Sequence, residues 1–153
     1  MAFLYAALLL LAILFLWGAY RILGTPSRLQ PADYEVVLDD LLKSVRRAAD
    51  RLEAANLEDA GEVEEKSAEA KKIFQTAYYQ ALRLRPTSGE DSQAKLRADL
   101  ARTCQAYEWA ARMLEQEVTP NPMLRQTALD LLAKADGELS RLAAELDGIR
   151  TSP

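Results

Sequence analysis

The stretch YEVVLDDLLKSVRRAADRLEAA, residues 34–55, decides the fold because its apolar residues recur at alternating spacings of four and three. The positions concerned are Tyr34, Leu38, Leu41, Val45, Ala48, Leu52 and Ala55. An unbroken spacing of this kind predicts an α-helix with one apolar seam along its length. Leu42 and Ala49 widen the seam, which predicts a bundle helix with more than one neighbour.

Three further segments carry seams with the same spacing. The second comprises Val63, Ser67, Ala70, Phe74, Ala77, Ala81 and Leu84. The third comprises Leu96, Leu100, Thr103, Tyr107, Ala110 and Leu114, with Ala101, Cys104 and Ala111 beside it. The fourth comprises Ala128, Leu131, Ala135, Leu139, Leu142, Leu146 and Ile149, with a phase slip expected near Gly137. From these seams we expect Leu41, Phe74, Leu100 and Leu131 at the centre of the core.

Turn-forming residues predict where the helices end and begin. Pro86 ends the second helix, and the third starts either with a Thr87–Glu90 capping box or with Ser88 as its N-cap. Asn121 as N-cap and Pro122 at the first helical position begin the fourth.

The sequence does not decide whether the break between the first two helices lies near Asn56 or near Gly61. We therefore predict an all-α chain in which residues 32–150 form an up-down-up-down antiparallel four-helix bundle. The expected helices cover about 32–56, 59–85, 89–118 and 122–149.

A separate apolar segment precedes the bundle. All 19 Lys and Arg and all 23 Asp and Glu of the 153 residues follow Tyr20. A helix over residues 2–20 is about 28 Å long at about 1.5 Å per residue, close to the hydrocarbon thickness of about 30 Å. Tyr5 near one end, and Trp17, Tyr20 and Arg21 near the other, are typical of the membrane interface. We predict a transmembrane anchor over residues 1–23, in contact with lipid through residues 2–20, and a linker over residues 24–31.

A cleaved signal peptide is the competing interpretation of this segment. No Lys or Arg precedes the apolar run, and the run exceeds the usual signal core of about 7 to 15 residues, which favours a retained anchor. Arg21 and Arg28 follow the run, so the positive-inside rule predicts an outside N-terminus and a cytoplasmic bundle.

The composition excludes several kinds of site. With no His and one Cys, the chain holds no His-based catalytic triad, no Cys/His zinc site and no intramolecular disulfide. No nucleophile with a base, phosphate-binding glycine loop or paired-carboxylate site can be assigned, so we expect no enzyme activity, cofactor or metal. The net charge of −4 argues against a nucleic-acid partner.

Two charged stretches are interpreted as solvated helix faces. Residues 58–69 are rich in Asp and Glu, as is usual at a helix start. Basic side chains of the first two helices are interspersed with acids. We assign neither stretch a ligand.

Trp109 and Tyr79 lie off the seams of the two middle helices. An exposed Trp beside a Tyr is typical of an anchor at a protein–protein interface. We therefore predict that Trp109 and Tyr79 bind a protein partner in or at the membrane, and that the bundle is a docking or scaffold subunit of a membrane complex.

One segment resembles the end of a tetratricopeptide repeat. The residues that carry the resemblance are Tyr78, Ala81, Leu82, Leu84 and Pro86. The positions that the repeat's first helix requires hold Glu58, Gly61, Glu62 and Glu65 instead, and no second copy follows. The resemblance implies, as the alternative function, a membrane-anchored peptide-binding module with shorter helices of about 12 to 14 residues.

Overall fold

The computed structural model describes residues 28–29, 31–86, 91–115 and 121–151, which form an all-α bundle of four packed helices. The helices are α1 (Pro31–Glu53), α2 (Ala60–Arg83), α3 (Asp91–Glu115) and α4 (Pro122–Thr151). Two short strands, β1 (Arg28–Leu29) and β2 (Arg85–Pro86), pair in parallel. The predicted anchor over residues 1–23 lies outside the described residues, as do the Thr87, Ser88 and Glu90 capping positions.

Within those ranges, no helix has both the length and the apolar content that a membrane span requires.

Polar side chains start two of the helices. Asp59 Oδ1 accepts hydrogen bonds from the backbone N–H groups of Gly61 at 3.0 Å and Glu62 at 3.1 Å. Helix α2 begins at Ala60, directly after Asp59. Asn121 Oδ1 accepts in the same way from Met123 at 3.1 Å and Leu124 at 3.3 Å. The Asn121 cap confirms its sequence prediction, whereas Asp59 was not predicted as a cap. Both satisfy backbone donors that the first helical turn leaves unpaired.

The core follows the predicted seams of α1, α2 and α3, every member of which is buried. Phe74 of α2 stacks on Tyr107 of α3 with ring centroids 4.8 Å apart and an interplanar angle of 16°. Buried alanines occur on all four helices, and their small side chains let neighbouring backbones approach closely. These alanines are Ala48, Ala49, Ala70, Ala77, Ala81, Ala101, Ala110, Ala111, Ala128 and Ala135, and the buried Ala55 follows the end of α1.

Each helix packs against two neighbours, in the circular order α1, α2, α3, α4, and α1 also reaches α3 across the core. Contacts between α2 and α3 join residues earlier in one helix to residues later in the other. Lys71 pairs with Glu115, and Gln75 of α2 bonds Glu108 of α3. Residue numbers therefore rise along α2 in the direction in which they fall along α3.

In α4 the seam differs from the predicted one. Leu132 is buried with 3% of its surface exposed, whereas Leu131, expected at the centre of the core, is only half-buried. Ala128 and Ala135 are seven residues apart, so a buried residue three positions after Ala128 (Leu131) or four positions after it (Leu132) would fit a helix equally well. The buried residues of α4 follow at alternating steps of four and three from Ala128 to Leu146 without interruption. The prediction of a slip near Gly137 is therefore wrong.

Two adjacent leucines therefore provide a matched test of this register. Leu132→Ala should lower the free energy of unfolding by about 2 to 5 kcal/mol, because a buried Leu leaves a cavity. Leu131→Ala removes the same atoms from a half-buried site and should have a clearly smaller effect. Chemical denaturation followed by circular dichroism measures both, and a larger effect of Leu131→Ala would contradict the observed register.

Candidate functional site

Two large aromatic side chains, Tyr79 of α2 and Trp109 of α3, stand on the surface, 62% and 49% exposed. Their positions follow from the core pair Phe74 and Tyr107. At about 100° per residue, Tyr79 lies about 140° around α2 from Phe74, and Trp109 about 200° around α3 from Tyr107. The same stacking that fixes α2 against α3 therefore directs these two side chains outward.

Trp109 is held by a chain of polar contacts that crosses from α2 to α3. Glu108 Oε1 accepts hydrogen bonds from Gln75 Nε2 at 2.8 Å and from Arg112 Nη2 at 2.7 Å. The Arg112 guanidinium carbon lies 5.1 Å from the centre of the Trp109 ring, which is a cation–π contact. The contact with Arg112 orients the indole, and a side chain that is already oriented would lose less entropy if it bound another molecule.

Helix α2 also carries exposed apolar side chains. The Tyr78 ring meets the Tyr79 ring edge to face, with centroids 5.2 Å apart, and Leu82 is 44% exposed one turn further along. We call these exposed residues, together with the polar side chains that hold Trp109, the α2/α3 face: Tyr79, Leu82, Trp109, Gln75, Glu108 and Arg112. Exposed aromatic and apolar area beside a fixed cation is suited to protein binding. That Tyr79 and Trp109 bind a partner stays a prediction.

A polar cluster that the sequence did not reveal joins α1, α3 and α4. Tyr107 donates a hydrogen bond to Asp136 Oδ1, and Arg46 Nη1 lies 3.5 Å from the same oxygen. Arg46 Nη2 also donates to Ser140 Oγ at 2.7 Å. Burial, and then the hydrogen bond to Asp136, raise the pKa of Tyr107 above its ordinary value. The cluster ties three helices together.

Glu53, at the end of α1, also reaches Asp136. A hydrogen bond between the two carboxyl groups, followed by burial and the charge of Asp136, raises the pKa of Glu53 from 4.5 to about 7. Two carboxyl groups in contact share one proton, because two negative charges at this distance repel each other. The Glu53–Asp136 pair therefore loses that proton near neutral pH.

This pair makes stability depend on pH. A carboxyl group whose pKa is raised by folding binds more protons in the folded state, so its contribution to stability falls as pH rises from about 4.5 to about 7. Glu53→Gln keeps a donor and removes the charge, so the variant should gain stability relative to the wild type between pH 5 and pH 8. Denaturant unfolding at both pH values measures this gain, which should largely disappear in an Asp136→Asn background. A difference that is equal at both pH values would contradict the assignment.

Asp99 of α3 is 7% exposed and accepts hydrogen bonds from Arg102 and from Arg141 Nη2 of α4, the latter at 3.3 Å. Burial opposes ionisation, but the two guanidinium groups outweigh it and hold the pKa of Asp99 below its ordinary value. These groups border an open cavity of about 450 Å³ between α3 and α4, lined also by Leu131 and Lys134. Asp99, the buried acid of this cavity, is therefore already paired with two guanidinium groups.

The remaining chemistry of the described ranges is sparse. Cys104 is fully buried, and burial raises the pKa of its thiol to about 12, so it is not a reactive nucleophile. The described ranges contain no group of three Asp, Glu, Cys or His side chains placed to hold a metal ion. Tyr5, Trp17, Tyr20 and Arg21, the predicted membrane-interface residues, lie outside these ranges.

Comparisons of the chain with protein-family models, with curated proteins and with solved structures find no significant match.

Proposed function

We propose that this chain is a single-pass membrane protein whose four-helix bundle docks another protein, as an accessory or scaffold subunit of a membrane complex. The observation that carries the proposal is the α2/α3 face, where Trp109 and Tyr79 stand exposed and Trp109 is held by Arg112. Such oriented aromatic anchors are typical of the residues that dominate binding energy at protein interfaces.

We infer an up-down-up-down antiparallel course for the bundle. It is supported by the reversed contacts between α2 and α3, and by Arg46 of α1 contacting Asp136 of α4 while Arg150 contacts Asp39. Helices of 23 to 30 residues favour such a bundle over a tetratricopeptide module, whose helices have about 12 to 14 residues.

The membrane part of the proposal depends on the apolar run over residues 2–20, and one pair of variants tests it. Leu10→Arg combined with Ile13→Arg places two charges at the centre of the run, where each costs about 2.5 to 3.5 kcal/mol. The full chain should then leave the carbonate-resistant membrane pellet. Val36→Arg, at an exposed position of α1, is the control and should stay in the pellet. If the wild-type chain is itself released by carbonate, the anchor does not exist.

Orientation gives a further expected outcome. A Cys introduced at Ser152 should resist a membrane-impermeant thiol reagent in intact cells and react after lysis, because Arg21 and Arg28 favour a cytoplasmic bundle. The buried Cys104 thiol should contribute little background. Replacing both arginines by Glu should weaken the preference for this orientation. If the Cys at position 152 is labelled in intact cells while Arg21 and Arg28 are present, the orientation is the opposite of the predicted one.

A further inference from the structure

The solvent face of α2 carries unpaired charges of opposite sign toward its two ends. Glu65 is exposed near the start of the helix, and Lys72 and Arg83 are exposed further along. In the described part of the chain none of the three forms an ion pair. Glu62 pairs with Lys66 at 3.0 Å, Glu69 pairs with Arg51 at 3.2 Å, and Lys71 pairs with Glu115. Glu64 is also exposed, about 100° around the helix from Glu65.

These side chains share one face of the helix. Glu65 and Arg83 are 18 residues apart, which is five turns of about 3.6 residues, so they lie at the same angle and about 27 Å apart along the axis. Lys72 and Tyr79 follow Glu65 at steps of seven, close to that angle. The stripe therefore begins with an acid, ends with a base and contains the exposed Tyr79 ring.

We propose that this face of α2 pairs with the same face of α2 in a second copy of the chain, antiparallel about a twofold axis. A stripe that is acidic at one end and basic at the other complements itself when one copy is reversed, as a twofold interface requires. Glu65 of each copy then lies opposite Arg83 of the other, and Tyr79 lies opposite Glu69. Ala68 and Thr76, between the charged residues, are small enough for the two helices to approach.

The apolar contact comes mainly from Tyr79, because exposed ion pairs by themselves contribute little and chiefly select the register. Trp109 lies on α3, outside the paired stripe, and is the anchor through which the pair docks a different protein, while Tyr79 contacts the second copy. The pairing rests on the proposed function only in how the pair meets the membrane. The two α1 helices start at opposite ends of the pair, so both anchors reach the same membrane when the long axes of the bundles lie parallel to its surface.

A charge exchange tests the pairing in the full chain. Two differently tagged copies are expressed together, and the amount of one that is captured with the other is measured after detergent extraction. Glu65→Arg or Arg83→Glu alone turns two symmetry-related attractions into repulsions, so capture should fall at least about fivefold. The double variant, Glu65→Arg with Arg83→Glu, restores opposite charges and should return capture to the wild-type amount.

Arg85→Glu is the matched control, since it makes the same charge change at an exposed residue beyond the end of α2 and should leave capture unchanged. Circular dichroism of each variant verifies that the helices remain. Single variants without effect, or a double variant that stays as weak as the single ones, would overturn the pairing. Trp109→Ala separates the two proposals, because it should leave capture of the second copy intact while the docking proposal requires it to lose another protein.

Discussion

Phe74→Ala is expected to lower the free energy of unfolding of the bundle by about 3 to 5 kcal/mol, the largest effect that we predict for a single substitution. Phe74 has no exposed surface and stacks on Tyr107 at the α2/α3 contact. Truncation removes the ring from the core and leaves Tyr107 facing a cavity. Denaturant unfolding of the full chain in detergent, followed by circular dichroism, measures the loss.

Tyr79→Ala is the matched control for this substitution. It also removes an aromatic ring from α2, but from a site 62% exposed, so the free energy of unfolding should change by about 0.5 kcal/mol or less. If the two variants lose similar stability, the register of α2 against α3 is not the one described.

Trp109→Ala is expected to weaken capture of the partner at least about tenfold, in the range of interface anchors, while changing the stability of the bundle little. The ring is half exposed and contacts Arg112, whose guanidinium keeps its hydrogen bond to Glu108 when the ring is lost. Quantitative affinity capture from native membranes measures binding, and unfolding of the same samples measures stability.

Lys134→Ala, at an exposed position of α4 away from the α2/α3 face, is the control for partner capture and should leave it unchanged. If Trp109→Ala instead destabilises the bundle as strongly as Phe74→Ala, the indole belongs to the core. The docking proposal would then lose its central residue.

The sequence was sufficient for the seams of α1, α2 and α3, because repeated steps of four and three place the residues of each seam on one side of a helix. It was not sufficient where two apolar residues adjoin. Leu131 and Leu132 both continue the pattern from Ala128, and only packing against α3 and α1 decides that Leu132 enters the core.

Polar contacts between helices were beyond prediction for a related reason. The contacts of Asp99 with Arg141 and of Asp136 with Tyr107 depend on how far α4 is shifted along α3, which no pattern within a single helix encodes. The surface exposure of the candidate binding residues Tyr79 and Trp109 could be predicted, because both positions lie off the seams. The Gln75–Glu108–Arg112 contacts that hold the indole needed the structure.

Site-specific photo-crosslinking in native membranes tests the central claim most directly. An aromatic photoreactive amino acid, which keeps a ring at the anchor position, replaces Trp109 in one sample and Lys134 in another, and the membrane and soluble fractions are analysed separately. The account predicts a discrete adduct with another protein from position 109, in the membrane fraction, and no such adduct from position 134. The same products from both positions, or an adduct found only in the soluble fraction, would contradict it.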